Sequence, residues 1–226
     1  MSKRFFIMVG LLGLALAALP APRAGAQFST PDVMAHAIQT VGDLKRDPAF
    51  GNARRLIERA SGVLIVPRLY KAGFFFGGSG GEGVLLVRRG PRSWSDPAFF
   101  YIASASFGLQ IGLQQSEMVL IALTRRGLDA LLTNGFKFGA NAGITVAMLG
   151  SNVEGAANTG GADIVVWASS AGVYGGLTLE GSIIKPSPDH DKTFYGRPVT
   201  TREILAGGVK APAAGVQLRN DVAAIG

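Results

Sequence analysis

The sequence predicts an α+β protein, mainly β: a glycine-rich, strongly curved antiparallel sheet or barrel-like core with N-terminal helices packed on it. Three observations predict it. Of 226 residues, 32 are glycine, about twice the usual ~7% share, and they sit among Val, Leu, Ile and Phe, where glycine marks bulges, bends and close backbone approach. From Gly62 onward, short apolar runs alternate with turn-rich breaks. A sustained helical period occurs only between Thr30 and Ala60.

Residues 1–26 read as an export leader. Lys3 and Arg4 open it, Phe5–Leu19 is apolar, Pro20 follows, and Ala24-Gly25-Ala26 places small residues before a cleavage point. The apolar run is shorter than the roughly 20 residues of a membrane span. The alternative is an uncleaved N-terminal anchor. Once Lys3, Arg4 and Arg23 leave, the formal charge falls from +7 to +4. That attracts an anionic surface but lacks the dense basic stripe of a nucleic-acid binder. The absence of cysteine excludes disulfides, thiolate zinc sites, cysteine nucleophiles and a lipidated N-terminal cysteine.

The first helix is predicted from Thr30, a candidate N-cap, with Pro31 at the first helical position and Asp32 in the first turn. Val33, Ala37, Ile38, Val41 and Leu44 share one face. Pro48 starts a second helix, with Phe50, Ala53, Leu56, Ile57 and Ala60 on one side and Arg54, Arg55, Glu58 and Arg59 on the other. These are either ordinary covering helices or, in part, a lipid-contacting amphipathic region.

Strand signals follow at Val63–Val66 (ended by Pro67), Phe74–Gly78, Gly83–Arg88, Phe99–Ala103, Phe107–Gln114, Met118–Thr124, Phe136–Leu149, Ile164–Ala168 and Val173–Ile184. Gly127–Asn134 reads as a short helix, Gly150–Ala162 as a loop, Lys185–Lys192 as a polar loop, and residues 206–226 as a weakly structured tail. Phe74–Gly81 aligns faintly with Phe136–Gly143, which would make the sheet pseudo-duplicated; a chance match in a glycine-rich chain is the alternative.

Several stretches, taken in order, resemble a known family. They are Gly62–Pro67, Lys71–Phe74, Gly80–Arg88, Trp94–Phe99, Ser106–Gly112, Phe136–Ala142 and Gly176–Ser182. The set is similar to the SYLF domain of bacterial exported proteins and of eukaryotic actin-patch and endosomal proteins, and it defines residues 27–205 as the domain. The resemblance implies phospholipid binding, of phosphoinositides in eukaryotic members, without enzymatic activity or cofactor; some eukaryotic members also bind actin. It attributes lipid contact to basic residues of an N-terminal amphipathic region, whose counterparts by position lie in Lys45–Arg59, with Lys71 in the KAGF motif.

Other chemistry is weak. Gly78–Gly83 has the spacing G-x-G-x-x-G, but the strand-like Val84–Val87 follows where a dinucleotide site needs a helix. No Gly-Lys-Ser/Thr appears, and Gly77-Gly78-Ser79-Gly80-Gly81 has the G-x-S-x-G spacing without the strand-to-helix turn of a nucleophile elbow, since the strand-like Val84–Val87 follows. Asp189-His190-Asp191 reads as an exposed loop before it reads as a metal site. The family resemblance implies structural roles at turns for Glu82 and Glu180. Phe74–Phe76 with Phe99–Tyr101 form either core or an acyl pocket.

The sequence reading is therefore a peripheral protein of the periplasm or cell envelope that binds anionic phospholipid or a membrane surface, without nucleic acid, metal or catalysis, and with no protein partner identified. The site residues are Lys45, Arg46, Arg54, Arg55, Arg59, Arg68 and Lys71. Arg88, Arg89 and Arg92 form a second cluster and Arg125-Arg126 a third. Guanidinium groups suit phosphate, although each cluster also suits a solvated turn or helix. The competing functions are an outer-membrane structural β-barrel and, less favoured, a hydrolase.

Overall fold

The computed structural model describes residues 29–46, 51–73, 76–107, 112–140, 143–149, 161–171 and 181–225. The leader expected at 1–26 lies outside them, as do Pro48 and most of the expected loop at 150–162. Two helices open the chain, α1 (Thr30–Arg46) and α2 (Gly51–Glu58). Strands β1 (Gly62–Gly73), β2 (Phe76–Gly90), β3 (Ser93–Trp94), β4 (Ala98–Phe107) and β5 (Gly112–Ala122) follow. Then come α3 (Arg125–Leu132), β6 (Phe136–Lys137), β7 (Val146–Leu149), β8 (Ile164–Ala171) and β9 (Ile183–Pro186). Helices α4 (Pro188–Tyr195), α5 (Thr201–Leu205) and α6 (Ala213–Ala223) complete the chain.

The strands form one strongly curled sheet in the order β6-β9-β4-β2-β1-β5-β8-β7, with β3 paired to β2. The α+β, mainly β class is as the sequence predicts. Pairing is antiparallel except between β7 and β8, which run parallel at one edge. The two stretches of the faint repeat occupy unlike places: Phe76–Gly81 lies in β2 at the sheet centre, whereas Phe136–Lys137 is a two-residue strand next to β9.

Both faces of the sheet are apolar where helices cover them, because successive side chains point to opposite sides. Val63, Ile65, Val84, Leu86, Val119 and Ile121 pack beneath α1, α2 and α6. Leu64, Leu85, Phe100, Ile102, Leu120 and Val166 pack against α3 and α5 on the other side. Phe99 and Phe100 are core residues on opposite faces, so they cannot line a common acyl pocket.

Pro67 does not end a strand. It has no N–H to donate, and β1 passes it with a bulge: the register shifts between Ile65 and Arg68 against β2, and between Val66 and Leu69 against β5. The backbone of β1 then crowds β2. A Cβ on Gly81 would lie 2.5 Å from the Arg68 carbonyl, and one on Gly83 would overlap the Ile65 carbonyl. Glycine is required at both positions.

Three local expectations are corrected. The cap of α1 is Ser29, whose carbonyl accepts from Asp32 and Val33; Thr30 is inside the helix and uses its hydroxyl elsewhere. Lys185–Lys192 is not a polar loop: Ile183–Pro186 pairs with β4 and Pro188 starts α4, with Asp191 buried. The segment after 206 is not a weakly structured tail, because Leu218, Val222 and Ile225 of and after α6 are buried in the core under α1.

Candidate anion-binding groove

Of the seven cations singled out in the sequence, Lys45, Arg46 and Arg54 are engaged within the protein. Lys45 pairs with Asp221 of α6 at 2.7 Å. Arg46 turns back on its own helix, donating to the Gly42 carbonyl at 3.0 Å and lying 3.4 Å from Asp43. Arg54 donates to the Lys45 carbonyl at 2.8 Å and closes the corner between α1 and α2. Arg55 and Arg59 are exposed, on and just after α2. Arg68 sits at the β1 bulge opposite Glu82, and Lys71 further along β1 opposite Ser79. Lys45 and Arg54 thus join α1 to α6 and to α2.

The basic residues that do converge are at the other end of β1 and β2. There β2 ends at Gly90, turns through Pro91 and Arg92, and returns as β3. Arg92 has φ +53° and is the only non-glycine residue with positive φ among the described residues. That conformation is uncommon for a residue with a Cβ. Arg89, Arg92, Ser93, Trp94, Arg219 and Asn220 line a cavity of about 610 Å³. Arg92 and Ala223 are shared with an adjoining cavity of about 890 Å³, whose other walls are Glu58, Ala224 and Ile225.

Each wall is fixed from behind. Arg88 donates to the carbonyls of Ile57 at 2.6 Å and Ala60 at 2.7 Å, which ties the end of α2 to β2. Its guanidinium carbon lies 4.3 Å from the centre of the Trp94 ring, a cation–π contact that sets the indole. Asp96 takes a 2.6 Å bond from Arg219 and so holds α6 against β3. Arg89 lies against Gly207. Among the described residues neither Arg89 nor Arg92 pairs with a carboxylate, and the buried indole N–H of Trp94 has no hydrogen-bond partner. The groove therefore offers unneutralised guanidinium groups beside a hydroxyl and an amide, which is the chemistry of a phosphate or carboxylate host. The sequence reading found Arg88, Arg89 and Arg92 but missed Arg219 and Trp94. Arg219 comes from the segment read as a tail.

A second polar cluster lies beneath α1. Thr30 Oγ1 is 3.0 Å from His190 Nδ1, and His190 Nε2 is 3.0 Å from Glu82 Oε1. The His190 ring stacks on Phe99 with centroids 5.7 Å apart. The bond to Glu82 chiefly holds the His190 pKa above its ordinary value. Asp191 accepts from the Phe99 N–H at 2.8 Å, and burial pushes its carboxyl up to about 7. Glu117 accepts from Thr40 at 3.2 Å and is also raised by burial. Glu82 thus fills a structural role, though inside a strand and not at a turn. Thr30, His190 and Glu82 have the connectivity of a nucleophile, base and acid. Thr30, however, is 5% exposed, and none of the three lines either cavity. The linkage tethers α1 to the sheet and α4.

Arg126 of the third basic cluster is committed to Asp163, with bonds of 3.1 and 2.8 Å. Thr124 at 2.6 Å and the Thr145 N–H at 3.0 Å also donate to that carboxylate, and these donors hold its pKa down at about 2.

Comparison with known proteins places this architecture. A family model described as Las17-binding protein actin regulator, Ysc84, matches residues 103–225. Protein YSC84 of Saccharomyces cerevisiae is 33% identical over 163 residues, covering 70% of this chain and 35% of the yeast protein. The human SH3 domain-containing YSC84-like protein 1 is 31% identical over 160 residues, covering 70% of this chain and 46% of its own length. The chain thus spans less than half the length of these relatives. No solved structure matches it. The match extends through α6, so the last helix is part of the domain, and the chain belongs to the Ysc84 family, the SYLF type that its ordered motifs resemble.

Proposed function

We propose that the protein is a non-catalytic module that binds anionic phospholipid at a membrane surface, and that the groove of Arg89, Arg92 and Arg219 is where the headgroup phosphate docks. In this reading the protein is exported by its leader and acts at the cell envelope, peripheral to the membrane. One observation carries the reading: cations from β2, the β2–β3 turn and α6 meet on one concave surface, two of them unneutralised among the described residues. A phosphate supplies the acceptors that such donors lack, and each cation near an anionic leaflet contributes about 1 kcal/mol.

The test is co-sedimentation of the mature protein with phosphatidylglycerol vesicles at low salt. Reversing Arg89 and Arg92 to Glu should lower affinity at least about tenfold and leave the melting temperature unchanged. Reversing Arg54 should lower the melting temperature, because it breaks the α1–α2 corner, and leave binding by the folded fraction intact. Absence of binding to anionic vesicles, or binding indifferent to Arg89 and Arg92, would refute the proposal. The family description names binding to a protein, Las17; capture of an acidic protein partner with no vesicle binding would transfer the groove to protein recognition.

A further inference from the structure

The groove carries both signs of charge. Its guanidinium side adjoins a second cavity through Arg92 and Ala223, and that cavity presents the carboxylate of Glu58 beside the short apolar side chains of Ala223, Ala224 and Ile225. Glu58 is the last residue of α2, and the Arg88 guanidinium is committed to the Ile57 and Ala60 carbonyls at that helix end. Among the described residues it forms no ion pair, and it is exposed at the cavity. A purely anionic headgroup spanning both cavities would bring negative charge toward that carboxylate. A headgroup with a cation a few bonds from its phosphate would satisfy both walls, with the small side chains leaving room for the linking carbons.

We infer that the groove is a bipartite site for a phosphodiester headgroup that also bears a primary ammonium, an aminophospholipid, with phosphate at Arg89, Arg92 and Arg219 and the ammonium at Glu58. This rests on the lipid-binding reading above and narrows it. The ammonium donates hydrogen bonds to the carboxylate, which a quaternary choline cannot, so phosphatidylcholine is the inert background. Binding adds no covalent step.

The experiment compares two vesicles with the same phosphatidylglycerol fraction and so the same net charge, one made up with phosphatidylethanolamine and the other with phosphatidylcholine. The wild-type protein should prefer the phosphatidylethanolamine vesicle by about threefold, the scale of one exposed ion pair. Glu58→Gln should abolish that preference, leaving binding to the phosphatidylcholine vesicle equal or stronger, while Arg92→Ala weakens both. Soluble glycerophosphoethanolamine should compete better than glycerol phosphate if the headgroup alone is recognised; failure of both to compete, with the vesicle preference retained, assigns recognition to the headgroup in its bilayer. Equal binding to the two vesicles, or a preference that survives Glu58→Gln, overturns the inference and leaves the phosphate reading standing. Absence of binding to either vesicle overturns both.

Discussion

The same substitution, Asp to Asn, should stabilise the protein at residue 191 and destabilise it at residue 163. Both carboxyls are 1% exposed. They differ in what surrounds them. Asp163 receives donors from Thr124, Arg126 and the Thr145 N–H. Asp191 receives only the Phe99 N–H, and its second oxygen has no partner. Their pKa values accordingly move apart from 3.8, to about 2 and about 7. Each pH unit of displacement is worth about 1.4 kcal/mol. For Asp163 the depressed value adds up to about 2 kcal/mol, present above the unfolded pKa and lost as pH falls through about 2; the exposure of Arg126 lets salt reduce this. For Asp191 the raised value works the other way. The folded state keeps a proton the unfolded chain has released, so stability is greatest in acid and falls by up to about 4 kcal/mol as pH rises through about 7. Asp191→Asn is neutral at every pH and keeps an acceptor for Phe99. Urea unfolding near neutrality should show it more stable than wild type, with the advantage shrinking toward about pH 4. Asp163→Asn should be less stable near neutrality and converge with wild type only in strong acid. An Asp191→Asn variant that is destabilised near neutrality, or whose advantage does not depend on pH, would refute the reasoning.

Other consequences are local. His190 and Glu117 also have raised pKa values, so wild-type melting temperature should rise from mildly alkaline to mildly acidic pH; a flat calorimetric profile would count against the tether beneath α1. Gly83→Ala forces a Cβ into the Ile65 carbonyl and Val66 and should cost about 1–3 kcal/mol, measured by chemical denaturation. Leu218→Ala empties a fully buried position of α6 and should cost about 2–4 kcal/mol; a near-neutral result would restore the tail as a dispensable segment. Arg88→Ala frees the Ile57 and Ala60 carbonyls and unseats Trp94, so it should lower both stability and vesicle binding, with Arg88→Lys recovering part of each.

Much of the fold is legible because apolar spacing reports burial directly. Val33, Ala37, Val41 and Leu44 show the helical period of α1, and all four are buried beneath it. The runs at 63–66 and 83–88 lie where β1 and β2 cross under the helices. The outer halves of those strands were not legible as continuous strand. In Arg68–Gly73 and Phe76–Gly83 the apolar pattern is broken by Lys71, Glu82 and several glycines, and the pairing is fixed by backbone bonds beyond the bulge. Helix α6 was missed for a related reason: AAGVQLRNDVA has few large apolar residues, and what buries them is α1, far away in sequence. His190 looked like a loop residue because Glu82 and Thr30, which surround it, are more than a hundred positions away.

The site shows the same limit more sharply, since anion binding depends on charge left over after folding and not on charge density along the chain. Lys45, Arg46 and Arg54 carry as many positive charges as Arg88, Arg89 and Arg92, yet Asp221, the Gly42 carbonyl and the Lys45 carbonyl take their donors. Arg89 lies at the end of β2 and Arg92 in the β2–β3 turn, and among the described residues neither meets a carboxylate. The Arg92 backbone is held where a side chain is rarely tolerated, a cost of order 1–3 kcal/mol that persists only when surrounding structure enforces it. A glycine would relieve that strain. It would also remove the guanidinium that lines both cavities, so relief of backbone strain and the proposed phosphate contact oppose each other at residue 92.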